Sequence, residues 1–416
     1  MFESLMGRIA PRFARVEPRR RAREFVLGLL SDLPRKNCWM LAEHAGNVTP
    51  DGLRHLLSTR AKRDADAVRD DLCGFVIEHL QDDEAVLVVD ETGDLKKGTT
   101  TVGVWRQYTG TAGRIENSQV AVYLAYSTSR GHAAIDRELY VPRSWTRDAA
   151  RCQAAGIPER VRFATKPALA ARMIGRALDA DVLVSWVAGD EVYGGNPHLR
   201  AALEHRQLGY VLACDHQITT RAAKIRADTL VKRLPKRAWQ KLSADAGAKG
   251  HRYYDWALAD IADEGSGHRH LLVSRNRSTG KLAFHRCYSA TRVPLSTLVK
   301  VAGRRWTVEE TFQSGKGLAG LDEHQVRRWT SWHRWVTLAM LAHAFLATAT
   351  AHERTHAPAA DDLIPLTCNE IQHLFTALAT QPTHTAAHRL RWSDWRRRHQ
   401  ARSRTCHYQR QAVYQP

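Results

Sequence analysis

Over the first 80 residues the apolar positions recur every three or four residues, the spacing of amphipathic helices. Pro34 opens the segment RKNCWMLAEHAG, and Gly46 and Asn47 stop it. Thr49 then stands as an N-cap, with Pro50 at the first helical position of DGLRHLLSTR. Two short helices joined by a tight turn resemble a helix-turn-helix, and an ordinary helical hairpin satisfies the same pattern. The rhythm changes at residue 85. AVLVVDE is a short continuous apolar run, as expected of a buried strand. TTVGVWRQYTG and IENSQVAVYLAYST follow as strands separated by glycine turns. TKPALAARMIGRALDA carries Pro167 near a helix start, and DVLVSWVAGD is a second apolar strand. Asn196 and Pro197 then begin HLRAALEHR, and GYVLACD is a further strand. Three strands followed by helix, strand, helix and strand predict an α/β sheet.

Residues 216–298 depart from that alternation. YYDWALADIA, HLLVSRN and KLAFHRCYSA read as strands of a separate β-rich piece. PLSTLVKVAGRRWTVEETFQSGKGLAG is mostly helical in pattern, and WVTLAMLAHAFLATATAHERTH is an apolar helix. The basic tail after about residue 389 is expected to be partly disordered. No internal repeat or low-complexity tract interrupts the chain.

Composition narrows the function. With 62 Lys and Arg against 43 Asp and Glu, the net charge is +19, which suits a polyanionic partner. The cations cluster in ARVEPRRRAREF, at Lys96 and Lys97, and in RLRWSDWRRRHQARSR, so a nucleic acid is the expected partner. The seven cysteines are scattered with no CxxC pair, which argues against a disulfide framework or structural zinc. Charged residues make up 25% of the chain, and no apolar run approaches the roughly 20 residues of a membrane span. The first 25 residues lack the apolar stretch of a signal peptide, so a cytoplasmic protein with no membrane partner is expected.

Two apolar strands end in acids, Asp90 and Asp190. Functional groups gather at the carboxyl ends of strands in open α/β sheets, and two adjacent carboxylates repel unless a cation lies between them. Hard oxygen donors in small number suit Mg²⁺, and two such ions can clamp the attacking and leaving oxygens of a phosphodiester. Strand-end acids also cap helices and line turns, so each Asp alone carries little weight. In RRWTVEETFQSGKG, Arg305, Glu309, Phe312 and Lys316 stand at i, i+4, i+7 and i+11, along one helical face. Glu310 points about 100° away from Glu309.

The strand acids together with this segment resemble the DDE transposases of bacterial insertion sequences, in the branch with a Tyr-x2-Arg-x3-Glu-x6-Lys signature. Arg305, Glu309 and Lys316 stand at the signature's gaps, while Ala302 occupies the Tyr position. DETGDLKKGTTTVGVWRQYTGTAGRIENSQVAVYLAY and AGDEVYGGNPHLR are similar to the insertion-sequence-701 branch. The resemblance implies an RNase H-like catalytic core, a mixed sheet with flanking helices, interrupted by a β-rich insertion. It implies a metal-holding catalytic triad of Asp90, Asp190 and Glu309 with two Mg²⁺ or Mn²⁺ ions. It implies that water cleaves double-stranded DNA at the element end and that the freed 3′-hydroxyl attacks target DNA. Arg305 and Lys316 would hold phosphates, Lys96 and Lys97 would touch the DNA backbone, and Trp256 or Trp239 would hold a flipped base. Glu91, Asp94 and Tyr193 have two readings, site residues or ordinary turn and packing residues.

The organisation expected is a helical DNA-binding region over 1–80, core over 85–215 and 299–350, an insertion over 216–298, and a helical, basic region over 351–416. Two element ends must meet, so a homodimer on DNA is expected. Two rivals remain. HERTH, His352 to His356, formally matches a zinc-peptidase motif, although no third ligand is evident. The chain could also be a transposase-derived protein that binds DNA without cutting it.

Overall fold

The computed structural model describes residues 1–58, 64–215, 226–247, 250–261, 265–356, 363–380 and 384–414. Helices α1 (Phe2–Ile9), α2 (Val16–Leu30), α3 (Cys38–His44), α4 (Asp51–Leu57) and α5 (Ala65–Leu80) come first. Asn37 caps α3 by accepting from the amides of Trp39 and Met40. Thr49 was expected to cap the next helix; Pro50 occupies that position instead, with the Thr49 hydroxyl accepting from Asp51 N. Residues 59 and 60 of the predicted DGLRHLLSTR helix lie outside the described residues.

Strands β1 (Val86–Leu95), β2 (Trp105–Thr109), β3 (Arg114–Ser127) and β4 (His132–Leu139) follow, then α6 (Arg143–Thr146), α7 (Ala149–Ala155) and α8 (Lys166–Asp179). Next come β5 (Trp186–Gly189), α9 (Glu191–Gly194), α10 (Pro197–His205) and β6 (Gly209–Cys214). After α11 (Ala227–Lys232), strands β7 (Gln240–Gly247), β8 (Gly250–Asp260), β9 (His268–Asn276) and β10 (Leu282–Ser289) form a meander. The remainder is helical: α12 (Leu295–Arg304), α13 (Thr307–Ala319), α14 (Trp329–His356), α15 (Cys368–Phe375) and α16 (Ala386–Tyr414).

All ten described strands belong to one mixed sheet of order β2-β3-β1-β5-β6-β10-β9-β8-β7, with β4 beside β3. β1 is antiparallel to β3 and parallel to β5, and β5 is parallel to β6. The β-rich stretch is therefore not a separate piece: β10 hydrogen-bonds to β6 and carries the sheet onward. β4 and β7 carry weak strand patterns and were not anticipated.

Alternation along β1 tells which helices cover which face. Lys166 at the start of α8 reaches Glu91, whereas Lys316 on α13 reaches Thr92 and stands 4.0 Å from Asp94. Covered on both sides, Val86–Val89 are fully buried, which is why that run reads as uniformly apolar. Helix α14 is apolar all round for the same reason. It is long and apolar enough to cross a membrane by length and composition, but 89% of that stretch is buried inside the protein, with Trp335 edge-on to Phe25 at 5.2 Å.

The basic tail also differs from expectation, being helical through Tyr414. Trp392 is fully buried and donates to Asn47 O at 2.9 Å, and His388 meets Glu43 O at 3.0 Å. The first turns of α16 thus cap the end of α3 and the turn that follows it.

Candidate active site

The pairing of β1 with β5 runs in register from Val86↔Trp186 to Val89↔Gly189. The next residue on each strand is an aspartate. Asp90 and Asp190 therefore stand side by side at the carboxyl end of adjacent parallel strands, where backbones are about 4.8 Å apart. The Asp190 side chain caps α9 by accepting from Val192 N at 2.9 Å. Gly194 makes that turn possible, because a Cβ there would fall 1.8 Å from Ala213 O. Asp90 accepts from the amide of Glu91 at 2.7 Å.

Electrostatics set these two apart. Burial, then the charges of Asp190 and Glu91, push the Asp90 carboxyl up to about 7, against the pull of the Glu91 amide and Arg305. Asp190 is raised as well, by burial and then by Glu91, against bonds from Val192 and Tyr193 and the charge of Arg305. Glu91 itself is satisfied, accepting from Lys166 Nζ and the buried Tyr193 hydroxyl, both at 2.6 Å. It points to the opposite face of β1 and orders the α8 side of the site. Asp94 is settled differently: burial raises its carboxyl, but the hydrogen bond from His324 at 2.9 Å and the nearby Lys96 and Lys316 ammoniums outweigh that and hold it low.

The predicted helical face is broken at its start. Helix α12 ends at Arg304 and α13 begins at Thr307, so Arg305 and Trp306 form the joint between them. Arg305 still bears on both aspartates and stands 3.3 Å from Glu309. Phe312 packs edge-on against Tyr123 at 5.4 Å, and Tyr123 is the β3 partner of Asp90, so α13 lies directly over the acid pair's face. Lys316 donates to Thr92 at 2.8 Å. Glu310 is turned to His132 at 3.4 Å. Glu309 is exposed, and among the described residues no three His, Cys, Asp or Glu side chains gather closely enough to hold a metal. The structure thus joins Asp90, Asp190 and Arg305, while Glu309 pairs with the arginine and does not complete a three-carboxylate cluster with the aspartates.

Over residues 8–251 the chain matches the family model for the DDE superfamily endonuclease, more than half its length. It belongs to that superfamily. Residues 170–345 also match the transposase DDE domain. The chain is 30% identical, over 222 residues, to the probable transposase for insertion sequence element IS701 of Microchaete diplosiphon. That alignment covers 52% of each protein, so the chain spans about half the length of this curated relative.

Three sequence expectations meet a different environment. Lys96 does not face solvent: its ammonium donates to His324 O at 3.1 Å beside Asp94, leaving Lys97 as the exposed member of the pair. Trp256 is 3% exposed between Tyr254 and His285, so its ring face is closed to a base. Trp239 is half-buried beneath Arg275, 4.3 Å from its ring. An aromatic that does stand open next to Arg305 is Trp306, 46% exposed with the Arg305 guanidinium over its ring at 4.6 Å. Its place next to Arg305 was the available signal. His352 and His356 stack at an exposed helix end, and His356 Nδ1 bonds to His352 O at 2.8 Å, a local helix contact.

The donor set fits a hard divalent cation. Both carboxyls are raised, Asp90 by burial and then Asp190, Asp190 by burial and then Glu91, and Mg²⁺ is commonly held by one or two carboxylates together with water and substrate phosphate.

Proposed function

We propose that this chain is an insertion-sequence transposase that cuts element-end DNA and joins it to a target. The in-register placement of Asp90 and Asp190 beneath α13, with Arg305 and Lys316 along the same helix and joint, is the observation that carries this reading. The strand order β4-β3-β1-β5-β6 supports an RNase H-like core, with β7–β10 as a sheet-extending insertion.

Asp90 and Asp190 would hold the cation, Mg²⁺ or Mn²⁺. Such ions supply Lewis acidity toward a phosphodiester and a more acidic bound water. Arg305 has two roles in sequence. Without DNA it pairs with Glu309 and screens the aspartates; a DNA phosphate competes for its guanidinium and frees Glu309 to complete the acid set. Lys316, held at Thr92, offers an ammonium to the same strand about two helical turns beyond Glu309. Trp306 presents a flat ring beside Arg305 for an unstacked base, the role for which Trp256 is too deeply buried. Lys97 is the backbone contact that remains open on the β1 turn.

Residues 1–80 and the basic helix α16 would add DNA contacts, and pairing of two ends would require two copies of the chain. The rival, a DNA-binding protein without catalysis, draws on Glu309 standing apart from the aspartates. Cleavage of DNA carrying the native element ends separates the two. Cutting by wild type with Mg²⁺ or Mn²⁺, lost in Glu309→Ala, supports the transposase. Tight binding with no cutting under either ion supports the rival.

A further inference from the structure

On the far side of β4, away from the acid pair, lies an open cleft of about 760 Å³ between the start of α5, the loop before α8, α8 itself and the start of α14. Seven arginines line it against three acids, and neither Asp90 nor Asp190 is among its walls. Two of the arginines are structural: Arg69 and Arg176 meet Asp136 at 3.3 and 2.9 Å. Arg137 and Arg334 are held as well, by Asp66 and by Ser58 O, and the remaining three are less committed. Arg160 and Arg172 are exposed and form no ion pair among the described residues, and Arg162 donates only to carbonyls of its own loop, including Val161 O at 3.3 Å.

Arg137 is the most deeply buried of the seven. It is 1% exposed and donates from Nη1 to Asp66 at 2.9 Å, yet its Nε has no hydrogen-bond partner among the described residues. Its other contacts, Nη2 to Ala65 O at 3.4 Å and a 3.9 Å approach to Asp136, hold the guanidinium in the cleft wall as a fixed positive charge. The half-buried ring of Trp329, 4.3 Å from His333, lines the same cleft.

We propose that this cleft is a phosphate-binding site, separate from the acid pair, that takes the backbone of a nucleic-acid strand or the phosphates of a nucleotide. Guanidinium forks match phosphate oxygens in pairs, and a concave basic surface with low-dielectric walls focuses its field on a polyanion. The volume lies in the range of small-ligand pockets, which leaves room for one or two nucleotides at a time. Arg137 pairs with Tyr123 and Tyr123 with Asp90, so the cleft begins two strands from the acids, roughly 10 Å across the sheet. Binding here does not depend on the acid pair being catalytic.

The test uses the full chain and the double variant Arg160→Gln/Arg172→Gln, whose exposed positions leave the fold intact. A fluorescent 20-nucleotide single strand of mixed sequence is titrated across a salt series, and inorganic tripolyphosphate is titrated while following thermal unfolding. A nucleic-acid ligand predicts binding about tenfold weaker in the variant near 0.1 M salt, with the log–log salt slope smaller by about 1.4. Equal oligonucleotide binding, with tripolyphosphate stabilising wild type but not the variant, assigns the cleft to a small phosphate compound. No difference from either probe overturns the proposal. Cleavage by Asp90→Asn is measured separately, so failure of the transposase reading and failure of this cleft are told apart.

Discussion

Asp90 and Asp136 are aspartates of the same sheet, two strands apart, and they are treated in opposite ways. Asp136 on β4 is buried, with Arg69 at 3.3 Å, Arg176 at 2.9 Å and the amide of Arg137 at 2.8 Å around it. Asp90 on β1 has one backbone amide at 2.7 Å, two neighbouring acids and only a distant share of Arg305. A buried carboxylate that serves the fold is surrounded by donors; one left short of them among like charges is destabilising to the metal-free protein. The contrast separates structural from functional charge within a single sheet, and it can be broken experimentally.

The largest expected effect is on activity. Asp90→Asn or Asp190→Asn should lower DNA cleavage by about 10³-fold or more while raising the urea midpoint of the metal-free protein, because repulsion is removed. A fall in stability would place Asp90 in the same class as Asp136. The reverse substitution comes next. Asp136→Asn should destabilise by about 1–3 kcal/mol, measured by urea unfolding, since it removes the buried partner of Arg69 and Arg176 and leaves them to Asp70 and Glu138.

A pH dependence sharpens the structural side. Burial in the α14 core pushes His343 down to about 3, with Ser314 at 2.7 Å from its Nε2. Its folded value lies below the unfolded one, near 6.5, so the stability it confers is full above pH 6.5 and is lost as pH falls toward 3. The loss approaches about 1.4 kcal/mol per pH unit for this one proton. His343→Asn should flatten the stability–pH curve by that slope between pH 6 and 4, and an unchanged curve would show that His343 does not set it. The smallest effect concerns Trp306. Trp306→Ala should change stability by less than about 0.5 kcal/mol, being exposed, yet reduce processing of element ends. Trp256→Ala should instead cost about 3–5 kcal/mol of stability.

Much of this contrast was legible in the sequence. A uniformly apolar run ending in Asp90, repeated at Asp190, reflects strands covered on both faces, and strand parity fixes which side each acid takes. The gaps from Arg305 to Lys316 survive the break between α12 and α13 because Arg305 and Trp306 keep helical dihedrals. What escaped reading depends on contacts distant in sequence. The edge pairing of β10 with β6 is invisible locally, so residues 216–298 read as a separate piece. Lys96 reads as surface charge until His324 and Asp94 are placed beside it. Helix α16 reads as a solvated tail because its anchors are contacts distant in sequence, buried Trp392 at Asn47 and half-buried Trp395 against Trp39, within an otherwise charged segment.

Binding of Mn²⁺ to the metal-free full chain, followed by electron paramagnetic resonance, tests the central claim most directly. Wild type should bind the ion, and Asp90→Asn and Asp190→Asn should each lose most of that binding although both remain folded. Equal binding by all three would contradict the assignment of this pair as the cation site.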